Sequence, residues 1–408
     1  MPRVHQVLAS LGYGDAIGNS VLGIRRVLRA AGFESRIYVE TADPRLEAET
    51  SDYRDMVDQV EDGDLLLHHF SLGSRASRTA YALPCRMMLM YHNITPPEYF
   101  VGVHPWLVRQ CYHGRRELGA YASRVSLAAG ASEFNRRELD ALGFSNTAVL
   151  PVVPDFSHLG GVPDQRLLDA FDDDRTNILF VGRMIPNKRP DQLIRFFHAY
   201  QSLVNPDSRL LLAGSSAQFE HYRASLQYLA AGLGVRDIHF LGQVSNEELT
   251  ALYDVADLYL CASEHEGFCV PLVEAFYKRV PVLAYAATAV PATMDGGGVL
   301  FDTTDPLEVA ATMAAMLADE ATEDRILATQ DQALARLQAI DFPAVLLRYV
   351  NQALGAPMPE VKVSADFWRQ YKLALELDEI REARPSAFHA LPAEGEPRTA
   401  TADIEHRG

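Results

Sequence analysis

The sequence predicts an α/β protein made of two doubly wound parallel-sheet halves in tandem. Three observations carry this reading. Short, wholly apolar runs alternate with longer amphipathic ones along most of the chain. Strands buried on both faces look like that, and the helices between them cover the sheet. The alternation stops at Pro151, Pro154 and the segment 155–164, which carries Gly160, Gly161 and Pro163, and then restarts. Such an interruption marks a linker. The length of 408 residues suits two or three domains, each with a full core.

In the first half the strand-like runs are 4–10, 35–39, 65–68, 87–91, 125–129 and 148–153. Helix-length segments at 20–31, 74–81, 104–122 and 133–142 separate several of them. In the second half, strands are expected at 177–181, 209–213, 239–241, 258–261, 282–284 and 299–301. Helices at 190–204, 219–233, 246–255, 270–277 and 306–317 alternate with them, and a helical stretch continues to about Leu354. The segment 355–359 breaks the chain again. A further helix follows at 367–380, with Phe367, Trp368, Tyr371 and Leu375 near one face. The Pro-, Ala- and Glu-rich end reads as disordered. The expected division is therefore 1–155, 156–354, a linker and helix at 355–382, and a tail at 383–408. Two such halves facing one another would make a ligand cleft.

Composition narrows the function. With 37 basic and 54 acidic side chains the formal charge is −17 (37 − 54), which argues against coating nucleic acid or an anionic membrane with the whole surface. Cys85, Cys111, Cys261 and Cys269 form no C-x-x-C pair and suit a reducing cytoplasm. The N-terminal stretch lacks the apolar core of a signal peptide, and no run of apolar residues is long enough to span a bilayer. Residues 1–155 carry 16 Arg, no Lys and 18 acids, a net of −2, so most of the negative charge lies beyond them. Arg75, Arg78, Arg86, Arg109, Arg115 and Arg116 read either as a solvated face or as a patch toward an anionic acceptor or membrane surface.

Three motifs point to chemistry. After the first strand, Gly12, Gly14 and Gly18 approximate a dinucleotide fingerprint whose third glycine is one position late, with Glu40 placed for a ribose contact. The same glycines suit an ordinary tight turn, or a loop approaching a phosphate or sugar. In the second half a buried strand runs into Gly182, Arg183 and Lys188, with Pro190 opening the next helix. Cations at the carboxyl end of a parallel strand sit where anions bind, Arg183 as a fork and Lys188 as a compact charge. The third motif is 264–274, read Glu-His-Glu-Gly-Phe-Cys-Val-Pro-Leu-Val-Glu. Pro271 suits a first helical turn, which places the amides of Gly267, Phe268, Cys269 and Val270 at a helix N-terminus, an anion site. Glu266 and Glu274 then reach one ligand from different heights, and carboxylates suit vicinal sugar hydroxyls.

The spacing of Glu266 and Glu274 (E-x7-E), the Gly182, Arg183, Lys188 stretch and the passage 240–249 resemble the retaining, nucleotide-sugar-dependent glycosyltransferases of family 4. The resemblance covers nearly all of 1–354. It implies the GT-B fold, in which two Rossmann-like domains face across a cleft and a C-terminal helix crosses back. It further implies that Arg183 and Lys188 neutralise the donor diphosphate and that Glu274 holds the ribose. Glu266 would take the transferred sugar, while backbone around Gly242 and Val244 borders the base. His92, after the fourth strand, would point at the sugar, and Gly14 and Gly18 would border the donor. On this resemblance a hexosyl group moves with retention to a hydroxyl acceptor, a saccharide or lipid-linked saccharide, in bacterial polysaccharide or glycoconjugate synthesis. GDP-mannose is the first expected donor and a UDP-hexose the second. No cofactor, metal or nucleic acid is expected, and at most peripheral membrane contact through the first domain. Asp62 and Asp64 have D-x-D spelling but precede a strand, and Asp172–Asp174 read as a solvated turn. The rivals are an epimerase or phosphorylase on the same fold, a sugar-nucleotide sensor that only binds, and a nicotinamide enzyme.

Overall fold

The computed structural model describes residues 3–358, so the helix expected at 367–380 and the tail lie outside the described residues. The chain divides into two compact units. One takes the chain up to Pro97, Trp106–Val152 and the chain from Asp341; the other takes Glu98–Pro105 and Val153–Ile340.

The first unit holds a seven-stranded sheet of β1 (Val4–Leu11), β2 (Ile37–Ala42), β3 (Ser51–Asp52), β4 (Leu65–Phe70), β5 (Arg86–Tyr91), β6 (Leu127–Gly130) and β7 (Thr147–Val149). Its order is β3-β2-β1-β4-β5-β6-β7, and the pairs are parallel, with Val7 beside both Tyr38 and His68. The helices here are α1 (Ala16–Ala30), α2 (Met56–Gln59), α3 (Arg75–Ala82), α4 (Pro105–Ala120) and α5 (Glu133–Ala141). Asp15, Ser74 and Ser132 cap α1, α3 and α5, each side chain accepting from an amide in the first turn.

The second unit holds a six-stranded parallel sheet of β8 (Thr176–Val181), β9 (Ser208–Ala213), β10 (Ile238–Gly242), β11 (Leu258–Cys261), β12 (Val282–Tyr285) and β13 (Val299–Phe301), ordered β10-β9-β8-β11-β12-β13. Around it lie α6 (Gln165–Phe171), α7 (Pro190–Leu203), α8 (Glu220–Leu233), α9 (Asn246–Asp254), α10 (Val270–Tyr277), α11 (Val290–Met294), α12 (Pro306–Met316) and α13 (Glu320–Gln338). Strand residues alternate between two cores. Leu179, Leu211, Tyr259 and Cys261 enter one, and Ile178, Phe180, Leu210, Leu212, Leu258 and Leu260 the other. In each sheet the strand order reverses, at β1 beside β4 and at β8 beside β11. Crevices at such reversals are where this architecture binds ligands.

Two expected boundaries change. The segment 155–164 is no free linker: Phe156 and Leu159 bury themselves in the second unit's core. The second unit also ends before Leu354. After Ile340 the chain returns to the first unit as α14 (Phe342–Gly355). Leu346, Val350 and Ala353, spaced along one helix face, are fully buried against Met88, Met90, Leu127 and Ala129. The Arg86 guanidinium donates to the Ala356 carbonyl at 2.7 Å and the Tyr349 hydroxyl to that of Val149 at 3.2 Å.

Candidate active site

The loops after β8 and β11, on either side of the strand reversal, are tied backbone to backbone. The Glu264 amide donates to the Asn187 carbonyl at 3.0 Å, and the Asn187 side-chain amide returns to the His265 carbonyl at 3.0 Å. This brings the predicted residues Lys188 and Glu266 together as an ion pair. Both side chains are largely buried, 20% and 7% exposed. Burial, the largest single influence, pulls the Lys188 ammonium toward neutrality, but the Glu266 charge and hydrogen bond together with Cys269 and Cys261 outweigh it, and the pKa ends above the ordinary lysine value. The Glu266 amide donates to the Thr288 hydroxyl at 2.9 Å. Next in the loop, Arg189 takes a left-handed conformation (φ 52°) and grips Asp191 at 2.9 and 3.0 Å as well as Glu264.

The α10 N-terminus opens with Cys269 in a left-handed conformation (φ 76°) and with no side-chain cap. Among the described residues the amides of Gly267, Phe268 and Cys269 meet no protein acceptor. One turn in, Glu274 is buried and holds two partners, His158 Nε2 at 3.0 Å and the Tyr253 hydroxyl at 3.0 Å. His158 Nδ1 also meets an acceptor, the Asp155 carbonyl, at 3.0 Å. Filling both bonds takes an imidazolium, and the hydrogen bond to Glu274 raises the His158 pKa above its usual 6.5. A carboxylate has about four lone-pair sites, so Glu274 can still accept from ligand hydroxyls.

The strand ends behind these loops are closely interlocked. Gly182 donates to the Ala213 carbonyl at 2.8 Å and Gly214 to that of Gly242 at 2.7 Å. A Cβ on Gly214 would stand 1.9 Å from the Gly182 carbonyl oxygen. Arg183 is exposed, its guanidinium 5.8 Å from the centre of the Phe219 ring. Gly242 turns at φ 72° and Val244 is partly buried against the core.

In the first unit His92 follows β5. Its Nε2 lies 2.9 Å from His69 Nδ1, and the rings stack at 5.2 Å with 15° between planes. His69 Nε2 lies 2.9 Å from Gln6 Oε1. Burial lowers the His69 pKa well below the usual value and that of His92 to about 4.

Of the readings left open for the glycine loop after β1, the geometry at Gly18 fits the ordinary turn. Gly14 turns at φ 74° beside open space, but the Gly18 amide is already held by the Asp15 carboxylate at 2.6 Å. A carboxylate at that helix end repels a second anion. Glu40 accepts the Ala76 amide at 2.7 Å and the Arg75 Nε at 3.4 Å, which places the ribose acid of the nicotinamide reading at the start of α3 instead. Asp64 grips Arg3 at 2.7 and 3.0 Å before β4. The arginine patch is partly internal, with Arg78 on Glu117 at 3.3 Å and Arg115 on Glu138 at 2.8 Å.

Residues 165–330 match the family model of glycosyl transferases group 1. That stretch lies inside the second unit and contains Lys188, Glu266 and Glu274. Two curated relatives are similar to part of the chain. The D-inositol 3-phosphate glycosyltransferase of Corynebacterium efficiens is 36% identical over 160 residues, 36% of each chain. The GDP-mannose:cellobiosyl-diphosphopolyprenol alpha-mannosyltransferase of Xanthomonas campestris is 29% identical over 192 residues, 46% of this chain and 49% of that one. The chain thus spans about a third to a half of the length of the curated relatives it matches. Two solved structures share the architecture over 86% of this chain, each at 17% identity. Anabaena HepE in complex with UDP-glucose is covered over 99% with a TM-score of 0.68. Sucrose-phosphate synthase from Thermosynechococcus elongatus is covered over 98% with a TM-score of 0.65. These likenesses establish the fold, the paired Rossmann-like units of GT-B glycosyltransferases.

Within the second unit, the residues that sequence reasoning missed are the partners. His158 sits in a Pro/Gly-flanked segment that reads as linker, and Tyr253 and Thr288 carry no local motif. Gln6 and His69 are separated by most of the first unit's leading half and meet only because β1 and β4 pair.

Proposed function

We propose that this protein is a retaining glycosyltransferase that moves a hexosyl group from a nucleoside-diphosphate sugar to a hydroxyl of a saccharide or lipid-linked saccharide. The observation that supports it most is the Lys188–Glu266 pair beside the uncapped start of α10, within the stretch that matches the group 1 model. In this reading the diphosphate takes Lys188, Arg183 and the α10 amides, which stabilise the charge growing on the leaving group. As Lys188 turns to phosphate, Glu266 is released to accept sugar hydroxyls. Glu274, held by His158 and Tyr253, takes the ribose, and Gly242 and Val244 border the base. The sugar passes through an oxocarbenium-like state with same-face attack assisted by the leaving phosphate. His92 offers a neutral imidazole to a sugar hydroxyl. Guanosine and uridine donors are both in play: one relative's name carries GDP-mannose, and one structural neighbour holds UDP-glucose.

Among the described residues no helix is long and apolar enough to cross a membrane. We place the enzyme in the cytoplasm, working without a metal ion or cofactor, so transfer should survive EDTA. Loss in chelator with rescue by magnesium or manganese would overturn that. Thermal-shift titration with GDP, UDP and their sugars tests the donor site. A ligand at 100 times its Kd adds about 2.7 kcal/mol of apparent stability. A flat response to every nucleotide would sink the reading, and isomerised sugar formed from donor alone would replace transfer with epimerisation.

A further inference from the structure

We propose that Gln6 and His69 are positioning residues that lock His92 as its Nε2–H tautomer, leaving Nδ1 as a hydrogen-bond acceptor for a sugar hydroxyl. The inference rests on the transferase reading only for the identity of the hydroxyl; the tautomer follows from the chain of contacts. The Gln6 side-chain Nε2 donates to the Val21 carbonyl at 3.2 Å. Flipping that amide would set two oxygens against each other, so Oε1 faces His69. His69 Nε2 must therefore carry the proton that spans the 2.9 Å to Gln6 Oε1. A neutral His69 then has a bare Nδ1, which accepts from His92 Nε2 across 2.9 Å. Among the described residues His92 Nδ1 makes no hydrogen bond, and it is not a buried orphan.

The surroundings keep both rings neutral. Their neighbours are Gln6 on β1, His68 on β4 and Asn93 after β5. His68 is buried and meets the Ser77 hydroxyl at 3.0 Å. Arg115 on α4 and Glu138 on α5 pair with each other, and Glu138 accepts from Asn93 at 3.3 Å and Tyr91 at 3.1 Å rather than from either ring. Burial disfavours the charged form of each imidazole. Gln6 itself carries no charge, so nothing at the far end of the relay favours an imidazolium.

Long-range proton–nitrogen spectra of 15N-histidine protein read the tautomer without donor or acceptor. Between about pH 6 and pH 8 His92 should show a protonated Nε2 and a bare Nδ1. Gln6→Glu should let His69 hold a second proton as pH falls. His69 Nδ1 then donates, the His92 proton moves to Nδ1, and kcat gains a limb that is lost toward low pH and recovered toward high pH. Should that variant not fold, His69→Gln and His69→Leu decide. The glutamine keeps an acceptor and most of kcat, whereas the leucine gives mixed tautomers and lowers kcat about fivefold to tenfold, the worth of one hydrogen bond. Nδ1–H on His92 in the wild type, a folded Gln6→Glu with an unchanged pH profile, or equal behaviour of the two His69 variants would each overturn the proposal. Absence of transfer by the wild type would sink the transferase reading while leaving the tautomer result standing.

Discussion

In the proposed reaction one pair of side chains, Lys188 and Glu266, would serve two states. With no ligand each neutralises the other in a largely buried place. Removing one partner leaves an uncompensated charge there, which costs about 3–5 kcal/mol. Lys188→Ala should therefore lower both stability and turnover, the latter by about 2–4 kcal/mol of transition-state stabilisation. The double variant Lys188→Met, Glu266→Gln should recover most of the stability and none of the turnover. Denaturant unfolding beside steady-state rates separates the two effects, and activity in the double variant would remove the pair from the chemistry. His158 gives a second test. Its folded pKa is raised, so the stability it contributes is complete below 6.5 and is lost as pH rises through the folded value. His158→Phe should lose about 1.5–3 kcal/mol near pH 6, with the gap to wild type closing toward about pH 9. A gap that does not change with pH would mean that His158 is neutral in the fold.

At the scale of elements, the sequence makes every strand but β3 legible because each of these is a short, mostly apolar run, and the structure finds them within a few residues of their expected ends. β3 escapes because Ser51 and Asp52 have no apolar face to announce them. The E-x7-E spacing is legible because Pro271 marks where α10 starts, which fixes the turn between Glu266 and Glu274. The partners of those residues are not, since a strand end or a loop joins distant positions without leaving a local pattern. Phe156 and Leu159 were hidden by the prolines and glycines around them. Gly214 is a case where only the close approach of two strand ends explains the residue. Gly214→Ala drives a methyl into the Gly182 carbonyl and should cost about 1–3 kcal/mol, shifting the loop that carries Arg183. Nucleotide affinity should fall with it. A variant as stable and as tight-binding as wild type would show that the loop yields freely.

For the whole molecule, the return of α14 to the first unit matters most. Truncation after Ile340 strips Leu346, Val350 and Ala353 from the core around Met88 and Leu127. The loss should exceed the about 2–5 kcal/mol of one buried leucine deletion. Calorimetry should then show the first unit's transition lowered or absent while the second unit's persists; equal loss in both would mean that they melt as one. The same feature reverses the order of assembly on the ribosome. The first unit is begun first, yet its core stays unsealed until a helix translated after the whole of the second unit has emerged. The half encoded later is thus the earlier to become foldable, and the leading half must wait in the cell with an apolar sheet face uncovered, a surface of the kind that chaperones hold.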